Sequence, residues 1–408
     1  MSFTSRVGWR DAYLAAGARG LSVTGDFLAA TALVLAFQSA GAGGYAVSGL
    51  LLASVLPLVV LAPVTGRIAD RVDSRRLLVG VGLAQAAVCV LLAYTETPIL
   101  AIALVGLLSC GLALTQPTLA ALLPAMVSRE DLPRASALNQ TASSIGALAA
   151  PVLAGVLVGQ FGARVPLLID AATYLALAAA GLLIHARRAT KTTGKATTTN
   201  FHYWRDPILA CLTVAIAGVV LGVGAINVVA VFFLRETLHA STTAYGLVEA
   251  LWAVGLLGGS WLVARLVRRM RDDGALVHGL LLALAGTCLA ILLMGPAPAL
   301  LWVVPFYLIG GAFNGALNVL QNVLVARRVP AEAHGRAFAI LVGWVQGAGM
   351  AGYAMAGLQL ELFDPRTLVF ALGGAGLAVC ALLAIPIVRA VRRDRAKGTR
   401  TTLTLAVA

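Results

Sequence analysis

Two long apolar runs joined by a short, highly charged turn limit the folds that this chain can adopt. Residues 48–65 and 77–94 are almost wholly apolar, and the eleven residues between them, Gly66 to Arg76, carry six charges. About 20 apolar residues are enough to cross a bilayer as a helix. Because an excess of Lys and Arg stays on the cytoplasmic side during insertion, the pattern predicts a membrane hairpin with a cytoplasmic turn.

The composition of the whole chain favours the same environment. Of its 408 residues, 60% are hydrophobic and only 12% are charged, and the mean hydropathy is +0.92. A soluble domain has roughly 25% charged residues, so we expect an all-α, polytopic protein of the cell (inner) membrane. The net charge of +13 lies mostly in short loops between apolar runs. We interpret it as a signal for orientation in the membrane, and we expect no nucleic-acid partner.

Twelve apolar segments can be separated at charge clusters, glycines and prolines. They predict an N-terminal six-helix bundle over residues 1–186, a cytoplasmic linker over 187–206, a C-terminal six-helix bundle over 207–390 and a basic cytoplasmic tail over 391–408. Arg134-Ala135 and Arg336-Ala337 hold the same place in the two halves, which suggests a duplication. Placing both termini in the cytoplasm puts most of the 30 Lys and Arg residues there, as the positive-inside rule requires.

The charged turn also carries a recognisable motif, with a Gly, an Asp and several Arg at fixed spacing: Gly66, Asp70, Arg71, Arg75 and Arg76. This pattern resembles the signature between spans 2 and 3 of the major facilitator superfamily, and the resemblance covers essentially the whole chain. It implies two pseudo-symmetric six-helix bundles that rock against each other. In that arrangement, Asp70 at a helix end would act as a conformational latch against the positive N-terminus of a helix in the other bundle.

The fifth apolar segment places small residues around a proline, at Gly146, Ala150, Pro151, Ala154 and Gly155. These residues resemble the antiporter motif of the superfamily, and the stretch before them is similar to the branch that exports drugs, macrolides and siderophores. The resemblance implies export. The alternative is plain close packing in a membrane bundle, since small residues let helices approach closely. Unlike many proton-driven drug antiporters, this chain has no charged residue in the fourth segment, 98–123.

Few ionisable side chains lie inside the apolar segments, and such residues are commonly functional. Asp26 lies near the middle of the first segment, and Arg19 precedes it by two helical turns, about 10 Å along the axis and too far for direct contact. We predict that Asp26, Arg19 and Glu249 take part in proton coupling. A structural ion pair between helices is the alternative for Asp26, and an outer-vestibule position is the alternative for Glu249. We interpret Asp170 as structural or as facing the vestibule.

Amide side chains follow one face of the tenth segment at spacings i, i+4, i+7 and i+8, where contact with lipid would be costly. We predict that they line a substrate cavity with other polar residues and one aromatic. Hydrogen bonding between helices is the alternative for about half of them. The predicted cavity residues are Asn314, Asn318, Gln321, Asn322, Gln116, Asn227, Gln346 and Trp252.

The leading functional prediction is a proton-coupled exporter of drugs or natural products that works by alternating access. The alternatives are a siderophore or lysolipid exporter of the same fold and, more remotely, a non-transporting membrane sensor or scaffold. An enzyme is not expected, because the chain lacks metalloprotease, serine-hydrolase and Cys/His motifs. We expect no metal or cofactor. The expected partners are a small organic substrate, protons and membrane lipid, with the protein acting as a monomer.

Overall fold

The computed structural model describes residues 9–62, 64–65, 68, 72–128, 130–184, 202–270, 272–330 and 333–407, with side chains as far as Arg393. Within these residues, twelve helices are long and apolar enough to cross a membrane. The first six are α1 (Trp9–Ser39), α2 (Gly43–Val60), α3 (Ser74–Ala93), α4 (Pro98–Met126), α5 (Leu132–Phe161) and α6 (Arg164–Leu183). The second six are α7 (Pro207–Phe232), α8 (Thr242–Leu266), α9 (Asp273–Met294), α10 (Leu300–Arg328), α11 (His334–Leu362) and α12 (Pro365–Val407).

The prediction of an all-α fold with twelve spanning helices is confirmed. Several helices extend beyond the predicted apolar segments, and α12 continues through the basic tail to Val407. Hydropathy marks only the part of a helix that lies in hydrocarbon. Backbone hydrogen bonding continues past that part until a capping residue, a glycine or a proline ends the helix.

Local sequence signals account for many of the helix ends. Asp73 and Asp206 begin α3 and α7 by accepting hydrogen bonds from backbone N–H groups of the first turn, at 2.9 to 3.2 Å. Asp364 begins α12 in the same way, and the hydrogen bonds from Thr367 lower the pKa of its carboxyl group. Gly162 ends α5 with a φ of 70°, a left-handed conformation that favours glycine.

The chain divides into two compact units. One contains Met1–Gly194 together with His239–Ala250, and the other contains Lys195–Leu238 together with Leu251–Ala408. The first part of α8 therefore groups with the first six helices. The predicted boundary in the linker lies near this division, but the linker itself lies largely outside the described residues.

Equivalent helix pairs pack within the two units. In the first unit α1 packs against α5 and α6, and α3 packs against α4 and α6. In the second unit α7 packs against α11 and α12, and α9 packs against α10 and α12. Each pair in the second unit follows its counterpart by six helices. This repetition agrees with the duplication that the sequence suggested.

Glycines allow one very close helix contact in the second unit. A Cβ atom added to Gly255 or Gly259 of α8 would overlap the backbone of α10, and one added to Gly311 or Gly315 of α10 would overlap the backbone of α8. Small residues of this kind let two membrane helices approach until their backbones touch.

An ionic cluster joins the ends of three helices in the second unit. Arg328, at the end of α10, forms ion pairs with Asp206 before α7 at 2.9 Å and with Asp273 of α9 at 3.1 Å. The side chain of Arg328 is 13% exposed and that of Asp206 is 16% exposed. Because Asp206 also caps α7, Arg328 stabilises a carboxylate that already holds a helix end.

We expect Arg328→Gln to lower the midpoint of thermal unfolding of the detergent-solubilised protein. The substitution leaves two carboxylates without their cation, at a cost of about 1–2 kcal/mol for groups that are only partly buried. Arg327→Gln is the matched control, because Arg327 is exposed and donates to the carbonyl oxygen of Met270. Equal midpoints for the two variants would show that the cluster does not stabilise the unit.

Candidate functional site

Asp26 lies in the middle of α1 and is hydrogen-bonded to a tyrosine of α6. The hydroxyl group of Tyr174 donates to Oδ1 of Asp26 at 2.6 Å. The Tyr174 side chain is 1% exposed, whereas Asp26 is only partly buried. The short bond therefore fixes a carboxyl group that retains some access from outside the unit.

Arg19 lies two turns before Asp26 on α1 and is partly buried. The two side chains interact electrostatically, but among the described residues no ion pair joins them. The prediction that they are too far apart for direct contact agrees with this arrangement. The contact between helices at Asp26 is the hydrogen bond from Tyr174, and no ion pair between helices involves Asp26 among the described residues.

Asp170 is buried inside the first unit, with 1% of its surface exposed. Its carboxylate accepts hydrogen bonds from the thiol of Cys89 at 3.3 Å and from the hydroxyl of Thr173 at 3.1 Å. Of the two interpretations given for Asp170, this burial agrees with a structural residue and not with a position that faces the vestibule. Distance from the helix end suggested exposure, but the residue lies on the face of α6 that packs against α1 and α3.

The small residues of α5 are all buried and form a close contact with α1. A Cβ atom at Gly146 would lie 2.5 Å from Oγ1 of Thr24 and 2.7 Å from the carbonyl oxygen of Gly20. Ala150 and Ala154 pack on Leu28, and each of these three side chains is at most 1% exposed. The close packing that was the alternative interpretation of this motif is therefore present between α5 and α1.

The same motif also contacts the first part of α8, within the first unit. Gly155 lies against the carbonyl group of Thr242, and Gly246 lies against that of Pro151. The hydroxyl of Thr243 donates to the carbonyl oxygen of Gly155 at 3.5 Å. Pro151 and Gly155 thus let the backbone of α5 approach the backbone of α8, the helix that carries Glu249.

Glu249 and Trp252 lie in consecutive turns of α8 but have different neighbours. Glu249 is partly buried and interacts electrostatically with Tyr245, one turn earlier. Trp252 packs edge-on against Tyr307 with ring centroids 5.9 Å apart, and its ring also contacts Gly310. Trp252 therefore packs between α8 and α10, and part of its ring is covered by this contact.

The amides of α10 form a ladder along one side of the helix. The side-chain amide of Asn318 donates to the backbone carbonyl of Asn314 at 3.0 Å, and that of Gln321 donates to Oδ1 of Asn318 at 3.4 Å. Oε1 of Gln321 is buried and has no hydrogen-bond partner among the described residues. These contacts lie within one helix, so they are not the bonds between helices that the alternative interpretation required.

The remaining predicted cavity amides lie on exposed surfaces of their own units. The side chain of Asn227 is hydrogen-bonded to the hydroxyl of Tyr353 and so joins α7 to α11, in agreement with the alternative interpretation for this amide. Polar groups of membrane-spanning helices avoid lipid, so these surfaces are suited to contact with water or with a polar ligand. The exposed amides are Gln116, Asn227, Asn322 and Gln346.

The predicted latch lies partly outside the described residues. Gly66, Asp70 and Arg71 fall outside them. Arg75 and Arg76 are exposed in the first turn of α3, and the backbone N–H of Arg76 donates to the capping carboxylate of Asp73 at 3.1 Å. The role of Asp70 therefore stays a prediction.

The arrangement of paired bundles agrees with the comparison to known protein families. The sequence model described as Major Facilitator Superfamily matches residues 15–352 and 212–406. The chain belongs to this superfamily. It is 25% identical over 403 residues to the uncharacterized MFS-type transporter YfiS of Bacillus subtilis (strain 168), covering 93% of this chain and 92% of the relative. It is 28% identical over 279 residues to the uncharacterized MFS-type transporter y4rN of Sinorhizobium fredii (strain NBRC 101917 / NGR234), covering 65% and 66% of the two chains.

Solved structures of the superfamily have the same fold. A mutant of the nucleoside transporter NupG superposes with a TM-score of 0.79 at 13% identity, covering 93% of this chain and all of that one. A mutant of the peptide transporter POT in complex with alafosfalin superposes with a TM-score of 0.73 at 13% identity. The match covers 93% of this chain and 95% of that one. The protein is therefore a multi-pass membrane transporter of the Major Facilitator Superfamily.

Sequence reasoning missed the partners of the two N-terminal carboxyl groups in this transporter. Tyr174 lies one turn after Asp170, so the spacing could have indicated a polar face on α6. Cys89 appeared as an isolated residue in an apolar run and gave no such signal. Its role depends on the packing of α3 against α6, which a single sequence does not specify.

Proposed function

We propose that this transporter is a proton-coupled exporter of an organic solute and that Asp26 binds the coupling proton. The observation that carries the proposal is the hydrogen bond from Tyr174 to Asp26 in the middle of a membrane-spanning helix. A carboxylic acid in this place can lose or gain a proton without losing its neutral hydrogen-bond partner. Ionisable residues inside the membrane commonly mark proton pathways in transporters.

Arg19 and Glu249 have supporting roles in this proposal. Arg19 interacts electrostatically with Asp26 without forming an ion pair, so it can balance charge at the proton site without occupying the carboxyl group. Glu249 lies on the part of α8 that contacts the α5 motif. We assign Glu249 a role either in proton exchange or in contact with a cationic solute.

The polar side chains available for binding are mostly amides. The amides of Gln116, Asn322 and Gln346 lie on exposed surfaces of the helices, where a solute can reach them. Amides with aromatic and apolar neighbours suit a neutral or cationic amphipathic solute better than a phosphate or a sugar acid. Drugs, other natural products, siderophores and lysolipids all include solutes of this kind.

The proposed direction is export from the cytoplasm, with both termini cytoplasmic in a cell (inner) membrane. The positions of the basic loops support this orientation. The buried small residues of α5 support export through their resemblance to the antiporter motif. In this account the turn that contains Asp70 acts as a latch between two states of the transporter, and alternating access moves the solute.

A vesicle assay tests this function. Everted membrane vesicles from cells that produce the transporter would be acidified inside and given a panel of fluorescent cationic, neutral and anionic amphipathic solutes. We expect at least one cationic or neutral member to accumulate, and we expect a protonophore to abolish the accumulation. Accumulation that persists with the protonophore would contradict proton coupling. Vesicles from cells that lack the protein are the control.

We expect Asn322→Leu to raise the KM for the solute identified in that screen about fivefold. The substitution keeps the approximate size of the side chain but removes an exposed amide of α10, and one lost hydrogen bond is worth about 1 kcal/mol. Gln38→Met removes an amide at the end of α1, which is not among the predicted cavity residues, and should leave the KM unchanged. An unchanged KM in Asn322→Leu would exclude Asn322 from solute binding.

A further inference from the structure

A second carboxyl group lies beside the proposed proton site. Asp170 of α6 is 1% exposed, and its Oδ1 atom lies against the backbone of Gly25, the residue before Asp26. A Cβ atom at Gly25 would overlap both this carboxylate and the hydroxyl of Thr173. Glycine at this position therefore lets the Asp170 carboxyl group approach α1 next to Asp26.

Tyr174 reaches from the helix that carries Asp170 to the carboxyl group of Asp26. It follows Asp170 by one turn of α6, and its hydroxyl donates to Asp26. The two carboxyl groups also interact electrostatically. The two carboxyl groups thus form one cluster across the contact between α1 and α6. Helix α3 adds the thiol of Cys89, which donates to Asp170.

The hydrogen-bond donors to Asp170 are neutral. They are the thiol of Cys89 and the hydroxyl of Thr173, and no ion pair to Asp170 occurs among the described residues. Charged and titratable groups near it come from α1 (Asp26, with Arg19 acting on Asp26), from α3 (Cys89) and from α6 itself (Tyr174). The other helix packed on α6 is α5, whose one charged residue, Arg134, stacks on Trp9.

The charges of this cluster balance only when a proton is present. With both carboxyl groups ionised, two negative charges would face the single positive charge of Arg19. One bound proton makes the cluster neutral, and pairs of buried carboxyl groups commonly hold one proton between them. Asp26 is the partly exposed member of the pair and Asp170 the enclosed one.

We propose that Asp26 and Asp170 form a two-carboxyl site that shares one proton, with Tyr174 as the bridge between α6 and α1. Asp26 exchanges the proton with water, and Asp170 sets the pH at which Asp26 takes it up. This inference rests on the proposed function, because it deepens the role of Asp26 as the proton site. It assigns a proton-binding role to Asp170 in the sixth spanning helix, where burial alone suggested a structural residue.

Infrared difference spectroscopy on the purified, lipid-reconstituted full-length protein tests this proposal with the proton itself as the ligand. The carboxylic acid C=O band would be titrated with pH in the wild type, in Asp170→Asn and in Asp11→Asn. Asp11 is a matched control, because it is a buried carboxylate of α1 at 3% exposure, two turns before Arg19. We expect Asp170→Asn to move the midpoint of the band by about one pH unit or more, and Asp11→Asn to leave it unchanged.

The outcomes separate this proposal from the proposed function. If Asp170 is only structural, Asp170→Asn will lower thermal stability without moving the midpoint, and the two-carboxyl site is overturned. If no carboxyl band sensitive to Asp26→Asn titrates in the wild type, the proton role of Asp26 itself fails. Should Asp170→Asn not fold, Cys89→Ala removes one donor to Asp170. A midpoint unchanged in that variant would equally overturn the proposal.

Discussion

Asp26→Asn is expected to abolish proton-driven accumulation of the solute while leaving the transporter folded in the membrane. Asparagine has nearly the same shape as aspartate, and its side-chain oxygen can still accept the hydrogen bond from Tyr174. The asparagine side chain cannot bind or release a proton at physiological pH. The transporter should therefore still exchange labelled for unlabelled solute across the membrane, but a proton gradient should no longer concentrate the solute.

Two measurements in proteoliposomes would test this expectation. Accumulation driven by an imposed pH gradient should fall to background in Asp26→Asn, whereas solute exchange at equal pH should remain. Asp11→Asn serves as the control for replacing a buried carboxylate of the same helix, and it should retain both activities. Gradient-driven accumulation at the wild-type level in Asp26→Asn would remove Asp26 from the coupling mechanism.

Gly246→Val should produce the second large effect, a loss of transport through the contact between α5 and α8. Gly246 lies against the carbonyl group of Pro151, so a Cβ atom there would overlap the α5 backbone. Inserting this bulk costs about 1–3 kcal/mol and would push the first part of α8 away from α5. If transport requires this contact to form in each cycle, the rate should fall to background even when the protein folds.

Gly258→Val is the matched control for that substitution. Gly258 lies on the same helix, and among the described residues no atom beyond the adjoining backbone of α8 lies within 4 Å of the position that its Cβ would occupy. The same change in helix propensity and side-chain size should therefore have little effect on transport rate or thermal stability. Equal transport rates in the two valine variants would show that the α5–α8 contact has no role in the cycle.

The fold could be predicted because the membrane leaves few alternatives. Apolar runs of sufficient length, separated by basic turns, were enough to predict the twelve helices. The exact helix ends were harder to predict from the sequence, because helices such as α12 continue as polar segments beyond the hydrocarbon core. Hydropathy nevertheless placed the start of α7 at residue 207, and the structure shows that Asp206 caps this helix.

Only part of the candidate site could be predicted from the sequence. Asp26 and the amide face of α10 stood out because polar residues are rare in such segments, and the spacing of Asn314, Asn318 and Gln321 fitted their observed hydrogen bonds. The link from Asp26 to Tyr174 was not predicted. It depends on how α1 and α6 are rotated against each other, and side-chain periodicity within one helix does not contain that information.

Proton movement measured directly with a pH-sensitive dye trapped inside proteoliposomes tests the central claim most sharply. A concentration gradient of the transported solute, without any imposed pH gradient, should drive protons in the opposite direction through the wild type. The same solute gradient should move no protons through Asp26→Asn. Proton flux through Asp26→Asn equal to that of the wild type would contradict the assignment of Asp26 as the proton-binding residue.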